Sequence, residues 1–121
     1  RRHQHTTPFE QAGLSFEIQA PIMVFREWHR HRTQSYNEMS ARYTQMPNIH
    51  YLPDVGRVRA QSKTNKQGTS EQELPPEIVE EFLRRMKIEQ EAIYQNYQWA
   101  IDNGVAREIS RINTPVSRYY S

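Results

Sequence analysis

The 121-residue chain contains no cysteine. Disulfides, thiolate-held zinc and a thiol nucleophile are therefore excluded within it. It also has no apolar run approaching the roughly 20 residues of a membrane-spanning helix, and its arginine-rich start lacks the apolar segment of a secretory signal. The expected address is the cytoplasm, away from membranes. Excess charge is scarce too: the formal net charge is +2, too little to argue for a nucleic-acid partner. Hydrophobic residues make up only 36% and charged residues 25%, so a modest core is expected, with surfaces finished by partner subunits.

The length suits one domain spanning 1–121. The chain opens on Arg1 and stops at Ser121 straight after the structured-looking Pro115–Tyr120 stretch, so it reads as the central part of a longer protein. Leu14, Phe16 and Ile18 alternate with polar residues between Gly13 and Pro21, the period of a half-buried strand. Val24, Phe25, Trp28 and Arg32 follow at helical spacing, which predicts a helix from Pro21 to about Arg32. Trp28, Phe16 and Phe25 are expected in the core. Ser35 to Tyr43 reads as a functional loop or irregular strand, and Ile49, Tyr51 and Val55 as a sheet edge. The polar segment 56–74 is expected to be a surface loop, with Lys63 and Lys66 solvated.

Pro75-Pro76 then opens the strongest element, a helix over about 76–103. One stripe carries Ile78, Phe82, Met86, Ile93, Tyr97 and Ile101, with Val79, Leu83 and Tyr94 beside it. Asn103-Gly104 is a stop signal, and a further helical turn or two is expected between Val105 and Ile112.

Chemistry concentrates between Arg26 and Arg42, which holds four arginines and no lysine. Arginine is favoured where a rigid, permanently charged fork must grip phosphate or carbonyl oxygens in a plane. On a helix Arg30, His31 and Arg32 would point about 100° apart and serve different ligand parts. Glu38, Ser40 and Arg42 occupy alternate positions, one face of an extended backbone, where they could hold a sugar phosphate. His3-x-His5 and His29-x-His31 lack further ligands at suitable spacing, so no metal is expected.

Arg30-His31-Arg32, followed by Ser35, Asn37, Glu38, Ser40 and Arg42, resembles the signature of flavin-dependent thymidylate synthases. His5-Thr6-Thr7-Pro8-Phe9-Glu10, Ala20-Pro21-Ile22, and Ala106-Arg107-Glu108 with Arg111 are similar to further segments of that family, in the same order. The resemblance implies an α+β fold, a mixed β-sheet packed with helices, assembled as a homotetramer with shared active sites. It implies methylation of dUMP to dTMP with methylenetetrahydrofolate as carbon donor, FAD as cofactor and NAD(P)H as reductant. The absent cysteine agrees with it, because this family works without the cysteine nucleophile of the other thymidylate synthase class.

Carried over position by position, the resemblance puts His5, Thr7, Arg30, His31, Arg32 and Glu38 at FAD. It puts Glu27, Arg30, Glu38, Ser40, Ala41, Arg42 and Arg111 at dUMP, with Ser40 a phosphate ligand and not a nucleophile. Glu27 stands where a glutamine is common, Ala41 where a glycine is, and Thr114 where a leucine is. The family's pyrimidine-activating arginine is expected beyond Ser121, so no catalytic residue is assigned within 1–121. A non-catalytic flavin- or nucleotide-binding module is the alternative reading.

Overall fold

A computed structural model describes residues 5–121, and His3 of the first histidine pair lies outside them. The elements are α1 (Thr7–Glu10), β1 (Ala20–Pro21), α2 (Ile22–Trp28), a 3-10 turn (Val55–Arg57), β2 (Arg59–Gln61), β3 (Thr69–Glu73), α3 (Pro76–Asp102), α4 (Arg107–Ser110) and β4 (Tyr119–Tyr120). The chain is thus α+β. Among the described residues, however, the strands form two small antiparallel pairs, β1 with β4 and β2 with β3, in place of one mixed sheet.

α3 has the boundaries its flanking residues dictate. Pro76 sits in the first turn, where a missing N–H costs nothing, and the helix ends at Asp102. Gly104 has φ +79°, the Gly104 N–H bonds to Ile101 O at 3.0 Å and the Val105 N–H bonds to Ala100 O at 2.9 Å. This pair of reversed bonds is the Schellman stop. Val79, Tyr97 and Ala100 are buried, while Ile78 and Phe82 of the expected stripe remain exposed. They line a shallow groove with Pro53, Val58 and Leu74.

The small core joins Ala41, Met46, Tyr97 and Tyr120, with Ile22, Phe25, Met39, Tyr94 and Ile101 against it. The last residues of the chain tie it together. Arg118 O accepts from the Ile22 N–H at 2.8 Å, Ser117 O from the Tyr51 N–H at 2.8 Å, and Ser121 O from the Met39 N–H at 2.8 Å; the Tyr119 N–H donates to Ile49 O at 3.0 Å. His50 bridges Arg118 antiparallel. Residues 116–121 therefore bind the start of α2, the segment 49–51 and the signature loop at once.

Three sequence-based expectations change. Leu14, Phe16 and Ile18 do not form a strand, because no described segment pairs with them; Leu14 and Phe16 are 84% and 76% exposed. Segment 56–74 is not a plain loop but largely the β2–β3 hairpin, with a register irregularity between Arg59 and Gln61. Its strands are polar on both faces, so no alternation betrayed them. Gln61 Nε2 organises the turn by donating towards the carbonyls of Asn65, Lys66 and Gly68. Finally α2 stops at Trp28 and not near Arg32.

Candidate functional site

The early end of α2 decides how the Arg30-His31-Arg32 triplet is displayed. The Arg30 N–H bonds to Glu27 O at 3.2 Å and the His31 N–H to Trp28 O at 3.0 Å, tightened turns that close the helix. The triplet is thus an exposed turn, and helical angles no longer describe its directions. Tyr36 Oη lies 3.1 Å from Trp28 O, 3.0 Å from His31 O and 2.9 Å from Gln34 Oε1. Gln34 Oε1 also accepts from Trp28 Nε1 at 3.0 Å. This knot fixes the turn against the loop that follows. Glu27, the acid in place of the common glutamine, sits 3.9 Å from Arg30 Nη2 with both side chains about three-quarters exposed, a weak pair.

Beside the knot lies a cavity of about 740 Å3. Phe16, Phe25, Trp28 and Tyr36 give it aromatic walls, and Glu38 and Ser121 reach its lining. Phe16 and Trp28 thus wall an open cavity, where the sequence suggested core, while Phe25 both packs against the core and lines the cavity. Of the residues expected at FAD, Glu38 alone lines it. His5 and Thr7 are exposed at α1, apart from this lining. Among the described residues no group of three or more His, Cys, Asp or Glu could hold a metal ion.

The loop after Glu38 does not run extended. Ser40 O accepts from the N–H groups of Tyr43 and Thr44 at 3.0 and 2.9 Å, and Ser40 Oγ lies 3.4 Å from the Arg42 N–H. The turn puts Glu38 and Arg42 to separate uses, where the alternate spacing suggested a shared face. Ala41 is fully buried against Met46, Tyr97 and Tyr120, so a small side chain is what this position accepts. Arg42 forms an ion pair with Glu108 of α4, and the neighbouring Arg107 donates to Tyr43 O at 3.2 Å. α4 is thereby fastened to the signature turn.

Arg111, just past α4, reaches the same region. The Tyr120 phenol there donates to Met46 Sδ at 2.9 Å. Burial is the largest influence there and raises the phenol above its ordinary value, with Arg111 pulling the other way. Of the seven residues expected at the nucleotide, Ser40, Ala41 and Arg42 share one turn, with Ala41 in the core and Arg42 paired to α4, while Arg111 follows directly after α4. Arg30 and Glu27 pair with each other on the separate α2 turn. Tyr36, Glu108 and Tyr120 were not singled out by the sequence. Glu108 lay inside a matched segment, but its partner is 66 residues away.

The family model described as thymidylate synthase complementing protein matches residues 1–121. The flavin-dependent thymidylate synthase of Treponema denticola is 40% identical over 118 residues, covering 98% of this chain and 44% of that protein. That of Dictyostelium discoideum is 43% identical over 119 residues, covering 98% and 38%. A UMP/dUMP methylase from Streptomyces cacaoi, solved with 5-Br UMP, superposes with a TM-score of 0.74 at 35% identity, over 84% of this chain and 45% of that one. The chain spans about two-fifths of the length of the curated relatives it matches. It belongs to the thymidylate synthase complementing protein family.

Proposed function

We propose that the protein is a flavin-dependent thymidylate synthase that methylates dUMP to dTMP, with FAD as cofactor and methylenetetrahydrofolate and NAD(P)H as co-substrates, acting in the cytoplasm. The carrying observation is the fastening of the Ser40–Arg42 turn to α4, remote in sequence, through the Arg42–Glu108 pair and the bond from Arg107 to Tyr43 O, with Arg111 directly after α4. Arg42 and Arg111 are permanent cations suited to a phosphate dianion, and Ser40 adds a hydroxyl on the same turn. Glu108 pairs with Arg42, and a phosphate bound there would compete with that carboxylate for the guanidinium.

The residues present also fit a flavin. The aromatic cavity offers flat apolar walls of the kind that bind ring systems, exposed Arg30 and Arg32 supply positive charge for its electron-rich edge and phosphates, and His31 adds a hydrogen-bonding ring. Bound FAD would supply the redox equivalents of the reaction. The chain's share is to bind, orient and balance charge.

A homotetramer with shared sites is part of the proposal. The accessible surface is 10390 Å2, against about 6,900 Å2 expected for a compact monomer of 14.5 kDa. Exposed Leu14, Phe16, Ile78 and Phe82 make up part of the excess, surface that subunit contacts would cover.

The test is to purify the full-length protein, look for bound flavin absorbance, and assay dTMP formation with dUMP, methylenetetrahydrofolate and NADPH. Bound flavin and turnover are expected. Flavin with no turnover would favour the non-catalytic module, and neither flavin nor dUMP binding would remove both readings. Arg42→Ala is expected to weaken dUMP more than FAD.

A further inference from the structure

We infer that Tyr36 is a positioning residue for the flavin site: its hydroxyl, bonded to backbone carbonyls on both sides of Arg30, holds the Arg30–Arg32 turn in the shape that presents Arg32 to the cofactor. The inference rests on that turn being a flavin ligand, as proposed above.

The phenol is anchored from the core outwards. Phe25 packs against the core, the His29 ring stacks on Phe25 with centroids 5.8 Å apart, and the Tyr36 ring leans on His29 at 4.4 Å and 58°. From this stack the hydroxyl reaches the end of α2, 3.1 Å from Trp28 O and 3.0 Å from His31 O.

Each bond has a definite direction. The indole N–H of Trp28 can only donate, and it meets Gln34 Oε1 at 3.0 Å, so that oxygen also faces the phenol as an acceptor, at 2.9 Å. The phenol is therefore the donor to all three oxygens around it. Of the two carbonyls, Trp28 O keeps a second donor in the His31 N–H at 3.0 Å. The loss of the phenol would thus fall on the His31 carbonyl, and with it on the peptide that joins His31 to Arg32. Once that peptide is fixed, Arg32 loses less freedom when it grips an anion. Phenylalanine would keep the ring stack and remove only the proton.

The test strips the full-length protein of flavin and titrates it with FAD, alongside Tyr36→Phe, Arg32→Ala and the double variant. Both positions are exposed, so neither substitution opens the core. Arg32→Ala is expected to weaken FAD by about tenfold or more, and Tyr36→Phe by about three- to tenfold, the scale of one hydrogen bond. The double variant should fall well short of the product of the two losses, because the hydroxyl acts through the arginine. A phenol that touched flavin itself, or a general loosening of the fold, would instead give the full product, and that result overturns the inference. Unchanged FAD binding in Tyr36→Phe beside a weakened Arg32→Ala overturns it too. Unchanged binding in Arg32→Ala, or no uptake of FAD by the parent protein, overturns the reading of the turn as a flavin ligand, and the inference with it.

Discussion

Nε and Nη2 of Arg118 lie 3.3 and 3.2 Å from Nε2 of His50, so one imidazole nitrogen faces a buried guanidinium. Arginine can only donate, which makes Nε2 the acceptor and leaves the His50 proton on Nδ1. The Arg118 guanidinium also lies over the rings of Tyr94 and Tyr97, 5.3 and 5.4 Å from their centroids. Arg118 is fully buried, and among the described residues its Nη1 has no hydrogen-bond partner. A buried cation held by an imidazole and two aromatic faces is costly to desolvate, with the rings offsetting roughly 2 kcal/mol.

The fold should therefore lose stability in mild acid through His50. Burial first, and Arg118 second, lower its pKa, with Glu91 opposing. The folded state thus binds the proton less readily than the unfolded state does. The contribution is complete above about 6.5, the ordinary histidine value, and is lost as pH falls below it, by at most about 1.4 kcal/mol per pH unit. Urea unfolding at pH 7.5 and 5.5 should show this loss, and His50→Gln should show less of it. Equal losses in both proteins would count against the assignment.

Tyr97→Phe should destabilise the protein by about 1–3 kcal/mol, because the Met46 N–H bonds to the buried Tyr97 hydroxyl at 3.0 Å and would lose its acceptor in the core. Tyr43→Phe, at a position 82% exposed, should stay within about 0.5 kcal/mol. Denaturant midpoints compare the two, and a neutral Tyr97→Phe would mean that water replaces the bond.

Removing the carboxylate that occupies Arg42 should tighten dUMP binding. Glu108→Gln leaves the guanidinium without a competing charge and makes the turn more positive. The pair is half-exposed, so the gain should be small, at most about fivefold. Calorimetric titration reads it directly. Weaker binding would show that Glu108 helps to hold the nucleotide.

Gly104→Ala should cost about 1 kcal/mol, the price of a Cβ at a left-handed backbone position. Nothing lies within 4 Å of the site a Cβ would occupy, so conformation alone is at stake. Thermal unfolding should register a lowered midpoint with the helix content of the native state unchanged.

The legible parts of the fold were those encoded locally. Pro75-Pro76 and Asn103-Gly104 delimit α3 because a fixed φ at one end and a left-handed residue at the other act within a turn of themselves. The alternation of Leu14, Phe16 and Ile18 was equally clear, yet a strand requires a partner and the described residues provide none. The β2–β3 hairpin went unseen because its polar strands carry no periodic contrast. α2 was drawn too long because the tightened turns at Arg30 and His31 depend on Tyr36, which no helical pattern includes.

The sequence by itself determined the family, through the Arg30–Arg42 signature and its flanking segments, and with it the residue types able to grip phosphate and flavin. Only the tertiary structure decided how they meet. Arg42 and Glu108 are 66 residues apart, His50 and Arg118 68, and Met46 and Tyr120 74. Nothing local relates such partners. They come together because residues 116–121 pair at once with the start of α2, the segment 49–51 and the signature loop, so that Tyr120 is buried against Ala41, Met46 and Tyr97.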